Sequence, residues 1–146
     1  MAGNTVSGTI AAPVGKVFQV VADIEAYPDV FPSVTEIEFI GERRQGVGTR
    51  FTETRFASGR DGTSDVEVTE YVDGDHIRLR DEHLGSTWDT AYSVVDEDGS
   101  TLLTMAVEAE PHKLMARLTM ALGMSGYSTN MEKHIDAIKA QTEMET

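Results

Sequence analysis

Hydrophobic residues in the last third of the chain recur at helical spacing. They stand four, three, four, four and three residues apart, at Met120, Met124, Tyr127, Met131, Ile135 and Ile138. This spacing predicts a helix that lies with one face on apolar surface. Pro111 suits a first helical position, where its missing N–H costs nothing, so we predict one long helix from Pro111 to Thr142. Gly123 and Gly126 lie within it and indicate a bend or room for another group.

The segment before this helix alternates between apolar and polar residues, as strands do. We predict seven strands, at Thr5–Ile10, Val34–Phe39, Thr49–Phe56, Ser64–Tyr71, His76–Asp81, Thr87–Val95 and Thr101–Ala109. Two short helices are predicted between the first two strands, one that starts at Ala11–Pro13 and one over Asp23–Tyr27. We expect Pro28 and Pro32 to break any continuation of the second helix.

This order of elements predicts an α+β fold with a cavity. Consecutive strands joined by short turns pair antiparallel and bury alternate residues on one face. Six or seven twisted strands make a sheet wider than one helix of about 10–12 Å diameter can cover. The sheet must therefore curl around the helix, and a sheet closed by one helix need not be filled completely. We predict a single domain over residues 1–146 with an internal cavity between the sheet and the C-terminal helix.

Composition narrows the classes of partner. The 25 acidic residues against 12 Lys and Arg give a formal net charge of −13, which opposes binding to nucleic acid. The chain has no cysteine, and its first residues lack the basic and apolar regions of a signal peptide. No apolar run approaches the ~18 residues that a membrane span needs. We therefore expect a cytoplasmic protein without an integral membrane segment, as a monomer or a homodimer.

Several segments resemble one known superfamily. They are Ala12-Pro13, Val17-Phe18, Asp23–Val34, Gly48–Phe51, Val68–Tyr71, Tyr92–Val94, and Thr101–Val107 followed by Glu110-Pro111. Together they are similar to the START-like (SRPBCC) superfamily, and more narrowly to its polyketide cyclase/dehydrase-like group, from about Val6 to Lys139. The resemblance implies a START/Bet v 1-like helix-grip, in which a curved antiparallel sheet wraps a long C-terminal helix around a hydrophobic cavity. The group includes lipid carriers, hormone receptors, aromatase/cyclases and quinone chaperones, with no catalytic set that all members share.

The strand that contains Phe51, Glu53 and Arg55 allows two registers. If Phe51 faces inward, Glu53 and Arg55 do too, because alternate residues of a strand share a face. Buried charges are costly unless they are paired or used, so these two would be polar anchors at the end of an apolar cavity. In the opposite register Thr52, Thr54 and Phe56 are inside and the charges lie in water. The pattern alone leaves both registers open.

The remaining candidate ligand-binding residues lie on facing surfaces of the sheet and the helix. The strands contribute Trp88, Thr90, Tyr92 and Met105, and the helix contributes Met120, Met124, Tyr127 and Met131. Each of these residues is individually consistent with an ordinary core position. Taken together, methionines and aromatic residues with polar tips suit a pocket for a flexible or aromatic ligand.

Recognisable catalytic, metal and cofactor motifs are missing from the sequence. The four histidines show no HxH or HExxH spacing, and adjacent strand residues such as Asp81, Glu82 and His83 point to opposite faces. We expect no metal site and no cofactor, and we place His112 and His134 on the solvated helix surface. No serine has a GxSxG context, so a hydrolase triad has little support.

Two classes of function remain. The first is binding or transport of a small hydrophobic molecule, such as a lipid, quinone, isoprenoid or polyketide, in the internal cavity. The second is a cyclase, dehydratase or isomerase acting on an aromatic or polyketide-like substrate, with Glu53 or Arg55 and Tyr92 or Tyr127 handling protons. A coenzyme Q-binding relative or a protein-interaction module is a third reading, but Gly48–Phe51 favours the cyclase-like group.

Overall fold

The computed structural model describes residues 2–57, 59–83, 85–112 and 130–144. Its strands are β1 (Ala2–Ile10), β2 (Val34–Ile40), β3 (Arg50–Ala57), β4 (Arg60–Val72), β5 (His76–His83), β6 (Ser86–Glu97) and β7 (Ser100–Pro111). Between β1 and β2 lie helix α1 (Val14–Ala22), a 3-10 turn (Ile24–Ala26) and helix α2 (Tyr27–Val30). Residues 130–144 are helical, and we call this segment α3. The predicted order of strand, short helices, six strands and C-terminal helix is confirmed.

All seven strands form one curved antiparallel sheet in the order β1-β7-β6-β5-β4-β3-β2. From β2 to β7 each strand pairs with the next one in the chain, as short turns require. β1 is the exception, because it pairs with β7 at the far end of the sequence, from Ala2 opposite Ala109 to Ile10 opposite Thr101. The two helices after β1 therefore carry the chain from one edge of the sheet to the other.

The core lies on the concave face of the sheet, between the strands and the helices. The helical stripe is confirmed where it is described, because Met131, Ile135 and Ile138 are all buried. β1 accommodates α3 through Gly8, where an added Cβ would stand 2.7 Å from Cγ2 of Ile135. Only a residue without a side chain permits the helix to approach this strand so closely.

Hydrogen bonds hold the segment that connects β1 to β2 against α3 and β7. The Ala11 amide donates to Glu143 Oε2 at 3.1 Å, which joins the start of the helical connection to the end of α3. The buried Thr101 hydroxyl donates to the Ala12 carbonyl at 2.8 Å. The Tyr27 hydroxyl, also buried, donates to the Val21 carbonyl at 2.6 Å and holds α2 against α1. Each bond satisfies a backbone group that has no partner within a regular element.

The structure corrects two details of the predicted helices. Pro111 is the last residue of β7 rather than the first residue of the C-terminal helix. Pro28 lies in the first turn of α2, where a proline is tolerated, and does not end that segment. The predicted helical positions Met120, Gly123, Met124, Gly126 and Tyr127 lie outside the described residues. Among the helices that the structure describes, none is long and apolar enough to cross a membrane.

Candidate functional site

The register of β3 places two charged side chains on the inner face of the sheet. Phe51 is fully buried, and Glu53, two residues on, is 9% exposed. Phe56, which would be inside in the opposite register, is 52% exposed. Phe51 stands opposite Phe39 of β2 and Val66 of β4, so its ring joins an apolar row that crosses three strands. Glu53 and Arg55 share this inner face.

Arg55 is the centre of a polar cluster at the end of this face. Its Nε donates to Glu53 Oε1 at 2.5 Å, and its Nη1 donates to Ser33 Oγ at 3.3 Å. Nη1 also lies 3.3 Å from Nε2 of His134 on α3. A guanidinium only donates hydrogen bonds, so the imidazole Nε2 accepts and its proton resides on Nδ1. The cluster thus joins β3, the loop before β2, and the C-terminal helix.

His134 is a neutral imidazole at neutral pH. Burial lowers its pKa from 6.5 to about 4, and the neighbouring Arg55 guanidinium acts in the same direction. The ring lies against Phe31, with 4.8 Å between the ring centroids and a tilt of 38°. Its Nδ1 is buried and has no hydrogen-bond partner within the described part of the chain. A buried donor without a partner is rare in folded proteins and marks a site that another group can complete.

The loop after α2 positions Phe31 and Ser33. The Phe31 amide donates to the Tyr27 carbonyl at 2.8 Å, and the Phe56 amide donates to the Ser33 carbonyl at 2.9 Å. Tyr27 packs edge-on against the Phe31 ring at 5.2 Å between centroids. Its own burial raises the pKa of the Tyr27 phenol well above the usual value, so this residue stays neutral and has a packing role.

A cleft of about 610 Å³ opens beside the polar cluster. Its apolar walls include Phe31 from the loop, Met105 from β7, and Met131 and Ala137 from α3. Ser33, Arg55 and His134 also line it, while the exposed Lys133 and Asp136 contribute one charge of each sign. The cleft therefore has mainly apolar walls, and its polar groups include those of the Arg55 cluster and two exposed charged side chains.

The structure brings together only part of the predicted ligand-binding set. Arg55, Met105 and Met131 line the cleft, and Glu53 reaches it through its ion pair with Arg55. The other described members on the inner face are buried or half-buried and do not line the described cleft; they are Phe51, Trp88, Thr90 and Tyr92. Met120, Met124 and Tyr127 lie outside the described residues. A ligand-binding role for any of them stays a prediction.

Sequence reasoning missed Phe31, Ser33 and His134. The expectation that His134 lies on the solvated helix surface is wrong. His112 is exposed as expected, but it directly follows β7 and is not helical. A signal for His134 was present in its spacing: it stands three residues after Met131 and four before Ile138, on the apolar stripe itself. The stripe was assigned from apolar residues alone. The polar His134 was therefore left out of it, although its spacing places it on the same face.

Comparison with solved structures shows the same architecture in several proteins. Protein TTHA0849 from Thermus thermophilus is 16% identical, with 99% of each chain covered and a TM-score of 0.81. The Zhui aromatase/cyclase from Streptomyces sp. R1128 is 17% identical, with 97% of this chain and 93% of that one covered and a TM-score of 0.76. A START superfamily protein from Mycobacterium smegmatis is 17% identical, with 99% of each chain covered and a TM-score of 0.76.

At these identities the likeness concerns the fold, and it confirms the predicted helix-grip architecture. No curated protein sequence matches the chain. A family model is decisive where pairwise identity is low, and the model described as polyketide cyclase / dehydrase and lipid transport matches residues 1–143. The chain therefore belongs to the polyketide cyclase/dehydrase and lipid transport family, as its sequence resemblance predicted.

Proposed function

We propose that this protein binds or transports a small hydrophobic molecule in the cleft between the sheet and α3. The observation that carries the proposal is the cleft itself, with apolar walls and the Arg55 cluster beside them. Its volume of about 610 Å³ lies within the ~300–1,000 Å³ range of small-molecule sites. Such sites combine an apolar lining with a few polar groups that orient the ligand.

The walls are suited to a flexible or ring-shaped lipophile. Met105 and Met131 are buried, and their thioether chains adapt to irregular shapes. Phe31, whose ring packs against His134, adds an aromatic side chain to the lining. Lipids, quinones, isoprenoids and polyketides all fit this description, and the family to which the chain belongs includes lipid transport in its description.

Displacement of a neutral fluorophore tests the proposal. N-phenyl-1-naphthylamine gains fluorescence in apolar sites, so we expect it to bind the wild type and to be displaced by neutral lipophiles. Ala137→Phe adds a ring to the α3 wall of the cleft and is expected to weaken binding about tenfold or more. Ala140→Phe is the matched control, because Ala140 lies on the exposed side of the same helix.

A second variant separates cleft occlusion from damage to α3. Ser33→Phe narrows the cleft from the opposite wall and leaves the helix unchanged. Loss of binding in both cleft variants, with retained circular dichroism and binding in Ala140→Phe, supports the proposal. If the fluorophore does not bind the wild type and no lipophile raises its melting temperature, the protein is not a carrier of this kind.

The second candidate is a cyclase, dehydratase or isomerase that uses the same cleft. It is favoured by the family description and by one structural observation, the neutral His134 beside Arg55. The N–H of a neutral imidazole can donate a hydrogen bond to a substrate carbonyl and polarise it, as in enzymes that form enolates. With an identified substrate, full turnover by Glu53→Gln would remove that residue from the mechanism.

Location and assembly follow as part of the proposal. A cytoplasmic protein, monomeric or homodimeric, fits the composition, and the net charge of −13 favours small lipophiles over nucleic acid as partners.

A further inference from the structure

We infer that the ligand of this cleft is a neutral lipophile with a hydrogen-bond-accepting oxygen, such as a ketone, aldehyde, ester or quinone, and that the site selects against carboxylates. The inference rests on the proposed function and specifies the chemistry of the ligand. It is carried by two observations: the buried Nδ1 of His134 without a partner among the described residues, and the pairing of Arg55 with Glu53.

The first observation identifies a hydrogen-bond donor. Arg55 contacts Nε2 of the imidazole, so the ring proton resides on Nδ1. No described residue accepts this proton; the atom itself is buried, and the imidazole ring that carries it lines the cleft. A donor in this situation has lost its water without gaining a partner. An oxygen acceptor on a ligand that reaches this atom of the ring would supply the missing bond, which an alkyl chain or a second donor would not.

The second observation concerns charge. The Arg55 guanidinium, the obvious partner for a ligand carboxylate, already contacts the Glu53 carboxylate at 2.5 Å. His134 stays neutral because its pKa is lowered to about 4. Among the lining residues, the exposed Lys133 and Asp136 carry opposite charges that offset each other. The described charges around the cleft therefore balance before any ligand enters.

A ligand carboxylate would disturb this balance. It would place a second negative charge near Glu53 in a partly dehydrated space, where a charge is costly unless it is paired. The net charge of −13 adds repulsion at longer range. A neutral carbonyl gains the His134 hydrogen bond without this electrostatic cost.

A matched pair of ligands tests the inference on the wild-type protein. 2-Nonanone and nonanoate have the same number of carbons and differ in the head group. In displacement of N-phenyl-1-naphthylamine at pH 7.5, we expect the ketone to bind about tenfold more tightly than the carboxylate. Equal or tighter binding of nonanoate overturns the inference and leaves the proposed function intact. Failure of both ligands, together with failure of the fluorophore to bind, overturns the proposed function as well.

Two sets of variants locate the cause of the selectivity. Glu53→Gln leaves Arg55 without its carboxylate and is expected to improve nonanoate binding several-fold, with little change for the ketone. His134→Phe keeps an aromatic ring against Phe31 but removes the donor, so the ketone is expected to lose about fivefold. His134→Asn retains an N–H near the position of Nδ1 and is expected to recover part of this loss. An unchanged ligand preference in folded Glu53→Gln contradicts the charge argument.

Discussion

The burial of neutral His134 predicts a specific loss of stability in acid. The unfolded chain binds a proton at this histidine with a pKa near 6.5, whereas the folded chain does so only near 4. As the pH falls below 6.5, the unfolded state therefore takes up the proton first and is favoured. The stabilisation is fully present above pH 6.5 and is lost as the pH falls towards 4.

The size of this effect follows from the two pKa values. Their difference corresponds to about 3 kcal/mol in the free energy of unfolding, because each pH unit between them contributes about 1.4 kcal/mol. About 2 kcal/mol of this is expected by pH 5. Other groups also titrate in this range, so the wild type alone does not isolate the contribution of His134.

His134→Gln isolates it. Glutamine does not titrate, and its amide oxygen can accept the Arg55 hydrogen bond in place of Nε2. Urea unfolding of both proteins at pH 7.5, 6.5, 5.5 and 5.0 gives the difference in their free energies of unfolding. We expect this difference to move by about 2 kcal/mol in favour of the variant between pH 7.5 and 5.0.

Two further measurements make the test decisive. His112→Gln is the control, because His112 is exposed and lies outside the Arg55 cluster. The imidazole resonances of His134 in NMR report its protonation directly. A pKa near 6.5 for His134, or a difference between wild type and His134→Gln that stays flat with pH, would refute the buried neutral imidazole.

Two other predictions concern Gly8 and His76. Gly8→Ala places a Cβ 2.7 Å from Ile135 Cγ2 and should lower the free energy of urea unfolding by about 1–3 kcal/mol. Gly62→Ala should cost little, because its added Cβ would meet no described atom within 4 Å beyond its chain neighbours. Equal effects would contradict the close approach of α3 to β1. The hydrogen bond to Asp75 raises the pKa of His76, so its stabilisation is fully present below pH 6.5 and is lost as the pH rises through the folded pKa. His76→Gln should therefore be more destabilising at pH 5.5 than at pH 8.5, and the reverse order would contradict the ion pair.

The architecture was predictable because strand alternation and helical spacing are local properties of the sequence. The face of β3 was not, since Phe51 and Phe56 stand on opposite sides of the strand and each supports a different register. The pairing of β3 with β2 and β4 decides between the two registers. The pairing with β2 includes a register shift between Val34 and Glu36, which residue periodicity does not predict.

The candidate site was less predictable because its parts come from distant segments. Ser33 and His134 both contact Arg55, yet they are roughly a hundred residues apart, and only the closed fold brings them together. Met105 and Met131 were accessible to sequence reasoning because each lies on a regular element whose inward face could be assigned, whereas Arg55 was a candidate in only one of the two registers of β3. Phe31 and Ser33 lie on a loop, for which residue periodicity gives no orientation.

The pairing of β1 with β7 has a consequence for synthesis of the chain. β1 leaves the ribosome well before its partner strand, which is made roughly a hundred residues later. Until β7 has been made, β1 is an unpaired strand, and α3, which follows β7 in the chain, docks on Gly8 later still. Closure of the sheet is therefore a late step in folding, and until it occurs the unpaired β1 exposes the chain to aggregation and to chaperones.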